Sequence, residues 1–278
     1  IYVERLQQLR SKRVGLALSG GGVRGIAHIG VVKALNELGI RPAVVSGTSA
    51  GSLVGAGVAA GMDWQDLAKM AQSVFWPSLF HGDLLERFCR RHLPATFEEL
   101  HLPLAVVVTE FPARQALSLT TGRLASALSA SCAIPIVRRP VRRDGLKLKD
   151  GGYTCVLPAT QCLDLGAELV IGSDVWELSA IMRAVGCPSS HPFFPTHYRD
   201  AVRQTDLLIQ PAIPIWSYIP GLPAFERLIV EGELATKQAL GIMNADLDRI
   251  GDVPSTVNLA STSPRRAKRF GQQQIDLI

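Results

Sequence analysis

The stretch 14-VGLALSGGGVRGIAHIGVVKALNELGIRPAVVSGTSAGS-52 decides the fold. A short apolar run, Val14 to Leu18, stops at a glycine cluster. From Ile26 to Leu38 apolar residues recur at helical spacing (Ile29, Val32, Leu35), and Gly39 stands where a helix C-cap belongs. A second apolar run, Ala43-Val44-Val45, meets another glycine-bounded turn, Gly47 to Gly51, before a small-residue helical stretch to Ala60. Strand, helix, strand, helix in this order predicts a parallel crossover unit and an α/β architecture.

Working outward, residues 2–12 read as a polar helical lead. Asp63 to Val74 and Asp83 to His92 read as helices capped by their aspartates. Leu104 to Thr109 and Ala116 to Thr120 read as strands, and Leu124 to Ser131 as a helix. Ile136 to Val141 and Leu146 to Leu148 read as a hairpin turning at Asp144-Gly145. Ala159 to Leu165 is a predicted helix ended by Gly166, and Leu169 to Gly172 a buried strand. Trp176 to Pro195, rich in Pro, Ser and His, reads as a loop or insertion. Tyr198 to Leu208 and Phe225 to Ile250 read as helices around a proline-broken apolar stretch. The expected organisation is a helical lead over 1–13, one catalytic domain over 14–250 and a polar tail over 251–278.

With 278 residues and 47% hydrophobic composition, the chain has enough apolar surface for one large core. Its 29 Lys and Arg against 24 Asp and Glu leave a net charge of +5, compatible with an anionic surface and far from a nucleic-acid signature. Five widely spaced cysteines argue against a disulfide framework, and a reducing compartment is expected. Cys89 and His92 have no second pair to complete a metal site, so neither metal nor cofactor is expected. The run from Val44 to Ala60 is too polar to span a bilayer, which gives a cytoplasmic location or a peripheral one at a membrane surface. The first residue is Ile1, which leaves room for a removed signal or an upstream domain, and oligomeric state is undetermined.

Gly20-Gly21-Gly22-Val23-Arg24-Gly25 formally satisfies the dinucleotide pattern, yet the following strand ends in Val45-Ser46-Gly47 without the acidic residue that would hold a ribose. Successive glycines at a helix start instead leave backbone N–H groups aimed outward, suited to a phosphate or to the oxyanion of a tetrahedral intermediate. Gly47-Thr48-Ser49-Ala50-Gly51 favours the second, because G-x-S-x-G between a strand and a helix lifts a serine Oγ clear of the backbone. Downstream, Asp150-Gly151-Gly152 follows a short strand and offers a carboxylate flanked by glycines.

These three motifs, in order, resemble those of the patatin-like phospholipases. Ser129 to Pro135 and Gly166 to Ile171 look like further segments of that family, and the likeness covers roughly Val14 to Ile250. The resemblance implies a three-layer α/β sandwich with a mostly parallel central sheet flanked by helices. It implies a serine acyl-ester hydrolase in which Ser49 is the nucleophile and Asp150 the base, with no histidine. Gly20, Gly21, Gly22, Arg24 and Gly25 would form the oxyanion loop, Arg24 supporting its shape and positive potential. Gly47, Thr48, Ala50 and Gly51 would shape the elbow, and Gly151 and Gly152 the aspartate turn. Lipid or ester substrates and peripheral membrane contact are the implied partners. One departure is Tyr153, where many bacterial members carry asparagine.

Two other readings stay open. A Ser-His-Asp esterase would recruit His191 or His197, and a non-catalytic lipid-binding module would keep the fold without turnover. His28, one turn into its helix, reads as a packed residue. The basic hairpin (Arg138, Arg139, Arg142, Arg143, Lys147, Lys149) reads as a solvated strand face or as an attractor of anionic headgroups. Trp216, Tyr218, Ile219, Leu222 and Phe225 read equally as core, acyl pocket or lipid contact.

Overall fold

A computed structural model describes residues 2–74, 82–134, 138–213 and 224–242. In chain order the elements are α1 (Tyr2–Ser11), β1 (Val14–Leu18), α2 (Ala27–Glu37), β2 (Val44–Thr48), α3 (Ala50–Ala59), α4 (Trp64–Gln72) and α5 (Gly82–His92). There follow β3 (Leu104–Phe111), β4 (Gln115–Leu119), α6 (Leu124–Ser131), β5 (Val141–Arg143), β6 (Leu146–Asp150), α7 (Ala159–Asp164) and β7 (Leu169–Ser173). The last are α8 (Glu177–Ala184), α9 (Thr196–Arg203), β8 (Leu207–Ile209) and α10 (Ala224–Ala239).

The strands form one sheet in the order β5-β6-β3-β2-β1-β7-β8, with β4 paired to β3. The run β3-β2-β1-β7-β8 is parallel, and β4, β5 and β6 are antiparallel. β1, β2 and β7 are buried nearly throughout, as strands covered on both faces must be. α7 packs on β1, β2 and β7 together with α9, while α3 covers β1, β2 and β3 beside α2 and α6. The result is the expected three-layer α/β sandwich. Because the chain winds outward from β1 through β2 and β3, then returns to β7, the order reverses at β1. Ligand sites in open α/β sheets form at that reversal, beyond the carboxyl ends of the strands.

Several boundaries differ from the sequence reading. Among the described residues the first strand of the basic hairpin is Val141–Arg143, because Pro140 offers no N–H for a ladder and Arg138 turns inward; the expected start at Ile136 lies outside them. Its turn is as expected, with Asp144 (φ 49°) and Gly145 (φ 79°) both left-handed, the backbone of a type I′ hairpin. The Trp176 to Pro195 segment is not all loop: α8 sets Leu178 and Met182 against the core around Phe194 and Tyr198. The helix expected to run to Leu208 stops at Arg203, and Leu207–Ile209 joins the sheet as β8 beside Ile171–Ser173. Asp83 lies inside the first turn of α5 rather than capping it, whereas Asp63 caps α4 by accepting the Asp66 N–H at 2.8 Å. The helical lead is docked, with Leu6 and Leu9 buried and Arg10 donating to the Leu38 carbonyl. Trp216, Tyr218, Ile219, Leu222 and the domain boundary near residue 250 lie outside the described residues; Phe225 sits in α10, which ends at Ala239 rather than running on to Ile250, with Gly241 (φ 74°) just beyond it.

α2 and α10 cross without a side chain between them at two points. A Cβ at Gly30 would strike the Ile229 carbonyl oxygen, and one at Gly232 the Ala27 carbonyl oxygen. Gly30→Ala is therefore expected to destabilise the fold by about 1–3 kcal/mol through forced separation of the helices. An unchanged denaturant midpoint would show that the two helices do not touch at Gly30.

Candidate active site

Ser49 alone makes the turn from β2 into α3. Its backbone, at φ 51° and ψ −123°, lies where a side chain is strained, and such strain persists only where neighbours enforce it. The neighbours here are glycines and hydrogen bonds. A Cβ at Gly51 would strike the Leu18 carbonyl oxygen, and one at Gly47 would come 2.5 Å from Ser52 Cα. The Ser49 N–H donates to Ser131 Oγ at 2.8 Å, and Ser131 donates in turn to the Val107 carbonyl at 2.6 Å. Ser52 Oγ donates to the Ser49 carbonyl at 2.6 Å.

β3 brings the carboxylate to this serine. Its residues 104–107 pair with β2, and its residues 108–111 pair with β6 along the same edge, since β4 occupies the other. Thr48 therefore faces Val107, and Asp150 faces Val108, one step on. The two strands meet end to end. Ser49 Oγ donates to Asp150 Oδ2 at 2.7 Å, and the Gly152 N–H donates to Asp150 Oδ1 at 2.8 Å. The backbone of Asp150 is pinned as well, its N–H by the Ala133 carbonyl and its carbonyl by Thr109 Oγ1. Gly151 is needed because a Cβ there would strike the Val107 carbonyl oxygen. Thr48 Oγ1 donates to the Cys155 carbonyl at 2.8 Å, tying the elbow to the aspartate turn.

The glycine loop leaves β1 beside the elbow, and a Cβ on Gly20 would lie 3.5 Å from that of Ser49. Not all of its N–H groups are available. Gly20 donates to the Val156 carbonyl at 3.0 Å and Arg24 to the Gly21 carbonyl at 3.1 Å, which removes both from the expected donor set. Gly25 serves packing instead, since a Cβ there would sit 2.6 Å from that of Ala50. The N–H groups of Gly21 and Gly22 have no acceptor among the described residues. The Arg24 side chain is wholly buried and donates through Nε to the Val175 carbonyl at 2.9 Å, bracing the loop against the segment after β7.

A family model described as patatin-like phospholipase matches residues 16–163, a span that contains the loop, the elbow and the aspartate turn. The chain belongs to the patatin-like phospholipase family. An uncharacterized NTE family protein of Mycobacterium tuberculosis is 35% identical over 181 residues, covering 60% of this chain and 50% of that protein. Lysophospholipase NTE1 of Coccidioides immitis is 30% identical over 190 residues, covering 61% of this chain and 12% of its own. The chain thus spans about half the length of the mycobacterial relative it matches. VipD from Legionella pneumophila shares the fold at a TM-score of 0.51 and 17% identity, over 83% of this chain and 67% of that one.

In this patatin-like site the electrostatics are set by burial. Asp150 is 7% exposed, and loss of solvent raises its pKa to about 6, against the hydrogen bonds from Ser49 and Gly152 and the nearby Arg138, which favour the carboxylate. Arg138 is a residue the sequence reading misplaced. Instead of lying on a solvated strand it is buried, donating to the Cys132 carbonyl at 3.2 Å and to Ser129 Oγ at 2.8 Å. Beside Ser49 runs an apolar cavity walled by Ile26, Ile29, Leu53, Val54, Leu67 and Met70, with Gly22 and Gly25 at its edge. A larger cavity of about 280 Å³ lies where β2 and β3 begin, lined by Leu16, Val32, Arg41 and His101, and includes neither Ser49 nor Asp150.

His28 is packed, as expected. Its ring bridges the Ser19 carbonyl (2.9 Å) and Ser173 Oγ (2.8 Å), and burial lowers its pKa to about 4, so it is neutral and steadies the start of the glycine loop. His191 and His197 are exposed, and neither hydrogen-bonds to Ser49 or Asp150. His191 Nδ1 accepts from the Phe193 N–H. Partial desolvation lowers the pKa of His197. All five cysteines are free thiols, and no metal-suited cluster of His, Cys, Asp or Glu occurs among the described residues. Among those residues no helix is long and apolar enough to cross a membrane. Val175 was not singled out from sequence, and Ser131 only as part of the Ser129 to Pro135 segment, with no role of its own; each acts through a partner far along the chain.

Proposed function

We propose that the chain hydrolyses the acyl ester of a single-chain lipid, a lysophospholipid or monoacyl glyceride, through an acyl-enzyme on Ser49. The observation that carries this reading is the 2.7 Å hydrogen bond from Ser49 Oγ to Asp150 at a strained elbow. Asp150 accepts the hydroxyl proton as Ser49 Oγ bonds to the ester carbonyl carbon. The carbonyl oxygen becomes an oxyanion beside the unengaged N–H groups of Gly21 and Gly22. Collapse breaks the ester C–O bond, and the leaving alkoxide takes the proton from Asp150. A water then gives a proton to Asp150 and attacks the acyl carbon; the second collapse returns that proton to Ser49 Oγ and releases the fatty acid.

The apolar cavity beside Ser49 suits an acyl chain, and the fungal relative's name, a lysophospholipase, points to a single one. Mass spectrometry of products from a panel of monoacyl and diacyl phospholipids and glycerides, with Ser49→Ala as control, tests it. Fatty acid is expected chiefly from the monoacyl members. Release from none of them above the control would end the hydrolase reading, whereas faster release from diacyl lipids would end only the single-chain part.

A further inference from the structure

We propose that the chain docks on an anionic lipid bilayer through a cationic and aromatic patch where β3 ends against the β5–β6 hairpin. The choice of a lipid partner rests on the hydrolase reading above; the patch itself does not. Phe111 is the register partner of Lys147, and Lys147 that of Arg142, so these three side chains share one face of the sheet. Lys149, two residues along β6, shares it too. Leu148 between them points the other way, into a cluster with Val108 and Ala130. Lys149 Nζ lies 4.3 Å from the Phe111 ring centroid, and the Arg114 guanidinium 5.9 Å from it. Tyr153 meets the same ring edge-on at 6.4 Å and is 55% exposed.

Among the described residues none of Arg114, Arg142, Lys147 and Lys149 is paired with a carboxylate. Asp144 is engaged by Arg143 at 3.4 Å, and Glu110, opposite Leu148, belongs to the other face. Charged residues on a short edge strand also guard against sheet-to-sheet aggregation, which accounts for Arg142 on β5 but not for Lys147, whose strand is paired on both sides. That role needs no exposed tyrosine set edge-on against a phenylalanine beneath the cations. Basic groups around amphipathic rings fit the headgroup layer of a bilayer, where phosphates meet the lysines and the rings reach the upper acyl region. Tyr153 lies three residues after Asp150, so a bilayer held here would stand against the turn that carries the carboxylate.

Flotation of the full chain with phosphatidylcholine vesicles, with and without about a third phosphatidylglycerol, at about 0.1 M and about 0.5 M salt, tests the docking. Binding is expected only with the anionic vesicles, and to fall at the higher salt. Arg142→Glu combined with Lys147→Glu should lower partitioning at least about tenfold, and Arg142→Lys with Lys147→Arg should keep it. Tyr153→Ser should weaken binding while leaving its salt dependence. Hydrolysis of a water-soluble short-chain ester should stay near the parental rate in all of these. Equal binding to neutral and anionic vesicles, or parental binding by the folded charge-reversed variant, would overturn the proposal. The soluble-ester rate separates the two ideas: a parent chain that binds charged vesicles but hydrolyses nothing keeps the docking and loses the reaction.

Discussion

Ser49→Ala is expected to lower turnover of any acyl ester by about 10⁴-fold or more, because it removes the atom that carries the acyl group between the two half-reactions. The fold should be unaffected. Ser49 Oγ contributes little packing, and the bonds that hold the elbow, from the Ser49 N–H to Ser131 and from Ser52 to the Ser49 carbonyl, use backbone atoms that alanine retains. Alanine also tolerates the strained φ no worse than serine does. A fluorophosphonate probe gives the matching direct readout, since it should form a stable adduct on Ser49 in the parent and none in the variant. Substantial hydrolysis by pure, folded Ser49→Ala protein, or a probe adduct on another residue, would remove Ser49 from the chemistry.

The parts of the site that were legible in the sequence are those whose cause is local. Gly47 and Gly51 are required by atoms within a few residues or on the adjacent β1, so a five-residue pattern suffices to announce the elbow. The pairing of Ser49 with Asp150, 101 residues apart, has a different origin. It depends on β3 holding β2 and β6 in succession along one edge, and no periodicity contains that register. Only the family resemblance pointed to it. The same distinction explains the errors. Gly20 looked like an oxyanion donor because its sequence neighbours do not reveal the Val156 carbonyl that takes its N–H. Arg138 looked exposed because it lies in a basic run, yet it turns inward to the Cys132 carbonyl and Ser129. β8 has three residues, too few to show alternation, and it followed a helix without a proline or glycine to mark the change.

Asp150→Asn should lower turnover by on the order of 10²- to 10⁴-fold, the range typical of a positioned general base, while His191→Asn and His197→Asn stay within about tenfold of the parent. Asparagine preserves the local bonding, since its Oδ1 can still accept from the Gly152 N–H while its amide donates to Ser49 Oγ. It cannot accept the proton. The change is also expected to leave the protein no less stable at neutral pH. A carboxyl whose folded pKa is raised to about 6 costs stability as pH climbs from its unfolded value toward 6, and a neutral amide avoids that cost. For the same reason kcat/KM of the parent should fall as pH drops through about 6, where Asp150 takes up its proton. That limb sits close to an unperturbed histidine's, near 6.5, so the pH profile by itself does not distinguish a carboxylate base from an imidazole. The variants do. If His191→Asn or His197→Asn proved as damaging as Asp150→Asn in folded protein, the base would be a histidine oriented by Asp150, and the end-to-end meeting of β2 and β6 would serve to hold the orienting acid.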